Sequence, residues 1–140
     1  WLQSRLRAIG LRPISALVDI TNFIMFDRGR PLHVFDADTI ASDIHVRLSR
    51  GGERLLALDG REYKLDDAVT VIADDDGPLA LGGIIGGESS GCTEKTQNVF
   101  VEAALFDPIR TAMSGRKHNV ISDARYRFER GVAAFERLLR

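Results

Sequence analysis

The sequence has little of several residue types that would define its class. Its 140 residues include one cysteine, four prolines and one tryptophan. Because Cys92 has no second cysteine to pair with, an internal disulfide is excluded, and a cysteine-based zinc site is excluded with it. No apolar run approaches the roughly 18 residues that a membrane-spanning helix needs. These absences predict a cytoplasmic protein that makes no contact with a membrane.

The sequence also has no initiator methionine, since its first residue is Trp1. We therefore expect residues 1–140 to be a single domain cut from a longer chain, with any upstream targeting signal outside it. A content of 44% hydrophobic and 28% charged residues is ordinary for a folded domain and too apolar for disorder. The length is sufficient for one hydrophobic core.

An excess of charge of one sign is missing as well, since the formal net charge is −1. This value argues against a protein that captures nucleic acid through bulk positive charge. The charge is unevenly placed: residues 43–107 carry six basic and 13 acidic side chains, and residues 108–140 carry eight basic and three acidic ones. The favoured interpretation is that the two segments pair inside the fold. The alternative is a local, phosphate-facing rim.

Apolar periodicity and turn residues predict helices at both ends of the chain and strands between them. Helices are expected over residues 2–9, from Pro13 to just before Gly29, from Pro108 through Met113 and from about Ala133. Strands are expected at residues 44–48, 55–58, 69–73, 79–85 and 99–105, and a mixture of loop and strand at 122–131. This arrangement predicts an α+β domain.

Two polar or glycine-rich segments have both a functional and a structural interpretation. Residues 82–91 form the densest glycine cluster but lack the Lys-Ser/Thr ending of a phosphate-binding loop. A structural loop is favoured there, and the functional alternative is the wall of a small-molecule pocket. Residues 74–77, Asp-Asp-Asp-Gly, lack the spacing of a calcium loop and predict a solvated turn.

Two titratable residues have open roles. His33 lies in an apolar segment predicted to be a loop, where a structural role is the default and a catalytic or positioning role stays open. No histidine has metal-ligand spacing to another, so no metal site is predicted. Glu102 lies in an apolar strand, where alternation favours solvent. A sheet that is covered on both faces would place it in a pocket instead.

Five motifs follow one another along nearly the whole chain. They are RPISALVDITN at 12–22, GRPLHVFD at 29–36, GGIIGGE at 82–88, VEA at 101–103 and SDARYRFERG at 122–131. Together they resemble the editing module of bacterial phenylalanyl-tRNA synthetase beta subunits. The resemblance implies a layered sandwich of mostly antiparallel sheets with helices at both ends. It also implies hydrolysis of tyrosine that has been wrongly esterified to the phenylalanine tRNA.

The resemblance further implies roles for five residues. Glu102 is expected to bind the tyrosine hydroxyl, which replaces the solvent-facing interpretation. Gly86 and Ala124 are expected to be small pocket walls, and a side chain at position 86 would fill the slot for the ring. His33 and Ser122 are expected to position the ester or the attacking water, without a metal or a covalent intermediate. Positioning by His33 is favoured over general-base catalysis.

The resemblance also sets expectations for cofactors and partners. The module is expected to need no cofactor, whereas the parent synthetase is expected to use ATP and magnesium. The expected partners are the 3′ end of the phenylalanine tRNA, mischarged tyrosine, the synthetase alpha subunit and the remainder of the beta subunit. Two alternatives stay open: a non-catalytic tRNA-binding or scaffold module of the same fold, and a free-standing aminoacyl-tRNA deacylase.

Overall fold

The computed structural model of the chain describes residues 1–132. Its helices are α1 (Leu2–Ala8), α2 (Ala16–Arg28), α3 (Pro108–Lys117) and α4 (Asp123–Phe128), with a 3₁₀ turn at Ala37–Thr39. Its strands are β1 (His33–Asp36), β2 (His45–Leu48), β3 (Arg54–Leu56), β4 (Glu62–Lys64), β5 (Thr70–Ala73), β6 (Pro78–Leu81), β7 (Ile85–Gly86) and β8 (Val99–Glu102). The predicted α+β class is confirmed, and the helix predicted from about Ala133 lies outside the described residues.

The strands form three antiparallel sheets that stack in layers. β1 pairs with β8, β3 pairs with β4, and a middle sheet has the order β2-β5-β6-β7. Because successive strand residues face opposite ways, β5 contributes to two cores. Ile72 belongs to a buried cluster with Phe35 of β1, and Val71 belongs to another with Leu55 of β3. The middle sheet is therefore covered on both faces, as the layered sandwich requires.

Helix α2 begins three residues later than predicted. The side chain of Ser15 accepts a hydrogen bond from the backbone N–H of Val18, so Ser15 is the N-cap and Ala16 the first helical residue. A serine cap is preferred because it satisfies an N–H group that has no partner inside the helix. Pro13 lies in the segment before that cap. The helix ends as predicted, with Gly29 in the left-handed region at φ 65°.

The segment 79–85, predicted as one strand, contains parts of two. β6 and β7 pair in antiparallel fashion, with Ala80 opposite Gly86 and Leu81 opposite Ile85. The chain reverses at Gly83, whose φ of 72° is a conformation that side chains disfavour. The first glycine pair of the cluster is therefore a turn between strands. The predicted strand at 99–105 is shorter than expected and ends at Glu102.

The segment 122–131, predicted as loop and strand, is mainly helical. Ser122 is the N-cap of α4, and its Oγ accepts a hydrogen bond from the N–H of Arg125 at 3.1 Å. Six helical residues are too few to show a clear 3.6-residue period, so the capping serine was the more informative signal. α4 packs closely on α3, since a Cβ added at Gly115 would lie 2.3 Å from Nε of Arg125. α3 itself continues past Met113, where the sequence predicts its end, to Lys117.

The Asp-Asp-Asp-Gly turn is less solvated than predicted, because Asp74 is buried. One of its carboxylate oxygens accepts hydrogen bonds from the N–H groups of Asp76 and Gly77, and the other accepts one from Ala41. The carboxylate thus shapes the turn and attaches it to the segment before β2.

Candidate functional site

A cavity of about 200 Å³ lies between the β1–β8 sheet and the middle sheet. Its lining includes four of the five residues that the resemblance singles out: His33, Gly86, Glu102 and Ala124. These residues come from β1, β7, β8 and α4, which are far apart in the sequence. Since a cavity of about 150 Å³ accepts benzene, this one has room for a single substituted aromatic ring.

Apolar and small side chains of the middle sheet form one wall of the cavity. Ile72 of β5 lies opposite Ala80 of β6, which in turn lies opposite Gly86 of β7. The three residues form a row across the sheet on one face, and all three line the cavity. The decrease in size along this row from isoleucine to glycine leaves room beside β7 for the imidazole of His33.

His33 and Glu102 are direct cross-strand partners in the β1–β8 sheet. Side chains at opposing positions project from the same face, with Cβ atoms about 5 Å apart. His33 therefore lies in a strand and not in the loop that the sequence predicts. Its ring contacts Phe35 edge-on, with 4.4 Å between the ring centroids. This register explains how two residues 69 positions apart reach one cavity.

Burial shifts both titratable groups of the cavity toward their neutral forms. It lowers the pKa of His33 to about 4, so the imidazole is uncharged at neutral pH. It raises the pKa of Glu102 to about 7, so the carboxyl is a mixture of protonated and ionised forms there. The ionised carboxylate accepts hydrogen bonds, and the protonated group can also donate one. Nε2 of His33 is buried and has no hydrogen-bond partner among residues 1–132.

Gly86 lies directly against the imidazole of His33. A Cβ added at position 86 would lie 2.4 Å from Cε1 and 2.7 Å from Nε2 of His33. Such distances are far below van der Waals contact, so any side chain would displace the imidazole or the strand. The lack of a side chain at Gly86 is therefore explained first by the position of His33, a partner that the sequence did not indicate.

Helix α4 closes one side of the cavity through Ala124 and Phe128. Ser122, the fifth residue singled out, is not among the lining residues. Its hydroxyl donates a hydrogen bond to the carbonyl oxygen of Ile84 at 2.6 Å while accepting one from Arg125. Ile84 itself lines the cavity. Ser122 thus ties the start of α4 to the glycine-rich turn.

Comparison with known families assigns this architecture. A family profile described as "B3/4 domain" matches residues 1–137. The chain belongs to the B3/4 domain family. Over 132 residues, or 94% of its length, this B3/4 domain is 65% identical to the phenylalanine–tRNA ligase beta subunit of Paramagnetospirillum magneticum and 61% identical to that of Mesorhizobium japonicum. It spans 16% of the length of each of these relatives.

A solved structure resembles the B3/4 domain in fold. It is an N-terminal fragment of the phenylalanyl-tRNA synthetase beta subunit from Pyrococcus horikoshii, with a TM-score of 0.51 and 22% sequence identity. The match covers 61% of this chain and 32% of the other. At 22% identity this similarity supports the fold alone.

Sequence reasoning missed the wall residues Ile72, Ala80 and Phe128. Alternation along 69–73 indicates that Ile72 and Val71 face opposite ways, but it cannot indicate which sheet covers which face. Phe128 lay in the segment for which no helix was predicted. An interpretation of Ser122 as a helix N-cap would have predicted Phe128 on the same helix as Ala124.

The remaining charged groups of the described chain lie outside the cavity. Of the basic residues after Pro108, Lys117 pairs with Asp66, which is the kind of pairing that the charge distribution favoured. Arg125, Arg127 and Arg130 pair instead with acidic residues of their own segment.

Within residues 1–132, no group of three or more His, Cys, Asp or Glu side chains could hold a metal ion. No helix in that range is long and apolar enough to cross a membrane.

Proposed function

We propose that this B3/4 domain hydrolyses tyrosine that has been wrongly esterified to the phenylalanine tRNA, as the editing module of a phenylalanine–tRNA ligase. The observation that carries the proposal is the carboxyl group of Glu102 in the wall of an otherwise largely apolar, ring-sized cavity. The relatives are named as beta subunits of this ligase, and tyrosine mischarged by such an enzyme is a ligand that the cavity could accept.

The cavity can distinguish tyrosine from phenylalanine through one hydrogen bond. Ile72, Ala80 and Phe128 offer apolar contacts that either aromatic ring could make. The phenolic hydroxyl of tyrosine would donate a hydrogen bond to the carboxylate of Glu102, and bonds to a charged acceptor are the stronger kind. Phenylalanine would leave the buried carboxyl without a partner, at a loss of about 1–3 kcal/mol. A synthetic site that must accept phenylalanine has no comparable means of rejecting an added hydroxyl.

The hydrolysis needs only a positioned water. Its oxygen forms a bond to the ester carbonyl carbon, the bond from that carbon to the ribose oxygen breaks, and one water proton passes to the ribose oxygen. His33 is a weak base, because burial lowers its pKa to about 4. Its unpartnered Nε2 is available to hold the water or a ribose hydroxyl. These properties support a positioning role for His33. Ser122 acts one step away by holding the loop that lines the cavity.

The proposal places the domain inside a larger assembly. Since the chain spans 16% of the length of its relatives, the remainder of the beta subunit and the alpha subunit are proposed to hold most of the tRNA. Only the 3′ end with its amino acid would enter this site, so a net charge of −1 presents no obstacle. ATP and magnesium would serve aminoacylation elsewhere in the enzyme, which is proposed to work in the cytoplasm.

The test uses the complete ligase with Glu102→Ala. We expect the rate of tyrosyl-tRNA deacylation to fall at least tenfold, while activation of phenylalanine is unchanged. Glu94→Ala, which removes an exposed carboxylate, is the matched control. Undiminished tyrosyl-tRNA deacylation in the Glu102 variant would refute the assignment. Tyrosine binding without hydrolysis in the unaltered enzyme would favour the scaffold alternative.

A further inference from the structure

We propose that Leu58 is a positioning residue for His33: its side chain covers the imidazole on the side away from the ring-sized cavity and keeps water from Nε2. The cover itself does not depend on the proposed function, whereas its effect on hydrolysis rests on that function. Three observations carry the inference: where the backbone holds Leu58, which side chain it meets, and a second cavity that the two residues share.

Backbone hydrogen bonds hold Leu58 beside the segment that carries Gly86. Leu58 lies in the turn between β3 and β4, and its N–H donates to the carbonyl of Gly86 at 2.9 Å. The N–H of Glu88 donates to the carbonyl of Leu56, also at 2.9 Å. Residues 56–58 and 86–88 are therefore paired in antiparallel fashion. This pairing fixes the position of Leu58 relative to the glycine that contacts His33.

Leu58 and His33 meet above Gly86. A Cβ added at Gly86 would lie 2.4 Å from Cε1 of His33 and 3.0 Å from Cδ1 of Leu58, so both side chains reach the same space. A Cβ added at Gly91 would lie 3.1 Å from Cδ2 of Leu58. Each methyl group of Leu58 thus lies beside a position that has no side chain. Two glycines of the glycine-rich segment therefore make room for a leucine that is 55% exposed.

A second cavity, of about 260 Å³, lies between α2, β1 and the turn that carries Leu58. Leu32 and His33 line both this cavity and the ring-sized one, so the imidazole separates the two. Leu58 lines only the second cavity, and it can therefore act on a ligand in the first only through His33. Since a water molecule occupies about 30 Å³, the second cavity has room for several. Leu58 stands between that space and the buried Nε2 of His33.

The neutral form of His33 is the form that the positioning role needs. An unprotonated ring nitrogen can accept a hydrogen bond from the attacking water or a ribose hydroxyl, whereas an imidazolium can only donate. Hydration stabilises the charged form, so loss of the cover would raise the pKa of His33 from about 4 toward its ordinary value. Water that entered would also compete with the ligand for Nε2. Two other titratable groups face this region: Glu102 across the strand pair and Cys92 in the second cavity.

The first measurement tests the cover in the complete ligase with diethyl pyrocarbonate, which acylates unprotonated, accessible imidazole. At pH 7 we expect Leu58→Ala to raise the rate of acylation of His33 severalfold, as located by mass spectrometry. The exposed His45 should react at an unchanged rate. Leu56→Ala, which removes a leucine of similar exposure two residues away, is the matched control. Leu58→Met keeps an apolar side chain of similar volume and should restore the protection.

The second measurement tests the effect on hydrolysis. We expect Leu58→Ala to lower kcat for tyrosyl-tRNA deacylation, with a loss about tenfold greater at pH 5.5 than at pH 7.5 if the pKa of His33 reaches its ordinary value. Leu58→Met should restore the pH profile. Glu102 and Cys92 are present in every enzyme compared, so their titration does not change the ratio of the rates.

The two measurements separate this inference from the proposed function. Unchanged acylation of His33 in Leu58→Ala would overturn the inference, because the leucine would then not cover the imidazole. Faster acylation with unaltered deacylation at both pH values would overturn the positioning role. If the unaltered ligase did not hydrolyse tyrosyl-tRNA while acylation of His33 still rose in the variant, the proposed function would fail and the cover over His33 would stand.

Discussion

His33 and Glu102 occupy opposing positions on β1 and β8, and their side chains share one cavity. Burial raises the pKa of the acid and lowers that of the base. Between about pH 4 and pH 7 both groups thus favour their uncharged forms, which reduces the unfavourable free energy of placing two titratable groups in an apolar space. These pKa shifts affect both the stability of the domain and the protonation state that a ligand in the cavity would meet.

Opposite pH dependences of stability are expected from the two residues. Glu102 binds its proton more tightly in the folded state, so its contribution to the free energy of unfolding falls as pH rises from 4.5 to about 7. His33 binds its proton less tightly in the folded state, so its contribution to the free energy of unfolding rises from about pH 4 to 6.5. In the unaltered protein the two effects nearly cancel. We expect Glu102→Gln to have a free energy of unfolding that rises over pH 4–6.5, by up to about 3 kcal/mol.

The reciprocal variant provides the control. His33→Gln leaves the glutamate effect unopposed, so its free energy of unfolding should fall between pH 4.5 and 7. Urea unfolding at several pH values measures both slopes. Identical pH profiles for the two variants would show that neither group is perturbed by burial.

Gly86→Ala is expected to destabilise the domain through its collision with His33. The added Cβ would lie 2.4 Å from the imidazole, and overpacking of this kind costs about 1–3 kcal/mol. Gly51→Ala is the matched control, since nothing lies within 4 Å of a Cβ there and its φ is not in the left-handed region. If His33 is the obstacle, His33→Ala should remove most of the penalty of Gly86→Ala in a double-mutant cycle. Strictly additive losses in urea unfolding would contradict this explanation.

Ser122→Ala is expected to lower the free energy of unfolding by about 1–2 kcal/mol. The substitution removes the cap of α4 and the hydrogen bond to Ile84, which hold the cavity wall and the glycine-rich turn together. Ser122→Thr keeps the hydroxyl and should retain the stability. If the domain hydrolyses tyrosyl-tRNA as proposed, a rise in KM at unchanged kcat for Ser122→Ala would agree with positioning. A loss in kcat at unchanged stability would point to a direct part in the chemistry.

The sequence predicted the class and most elements of the fold because their signals are local. Glycine at position 29 ends a helix, and apolar runs bounded by turn residues form strands wherever they pack. The wrong predictions occur where the local signal is ambiguous or too short. Whether Ser15 or Pro13 starts α2 depends on which side chain reaches a free N–H group, and the period of a six-residue helix cannot be recognised.

The site was predictable only in part. Motifs identified His33, Gly86, Glu102 and Ala124, and the structure brings those four to one cavity. From alternation alone Glu102 would face solvent, because alternation cannot reveal that a second layer covers that face. The close approach of His33 to Gly86 joins residues 53 positions apart and depends on how the two sheets stack. Such contacts are properties of the assembled layers and leave no local pattern in the sequence.

The cavity walls come from both facing sheets and from α4, a helix of only six residues. Detachment of α4 alone would remove Ala124 and Phe128 from the site while the strands remained paired. Short elements of this kind open locally at a lower free energy than the whole domain. Any ligand recognition that depends on those two walls would therefore be lost under mild heat before the domain unfolds.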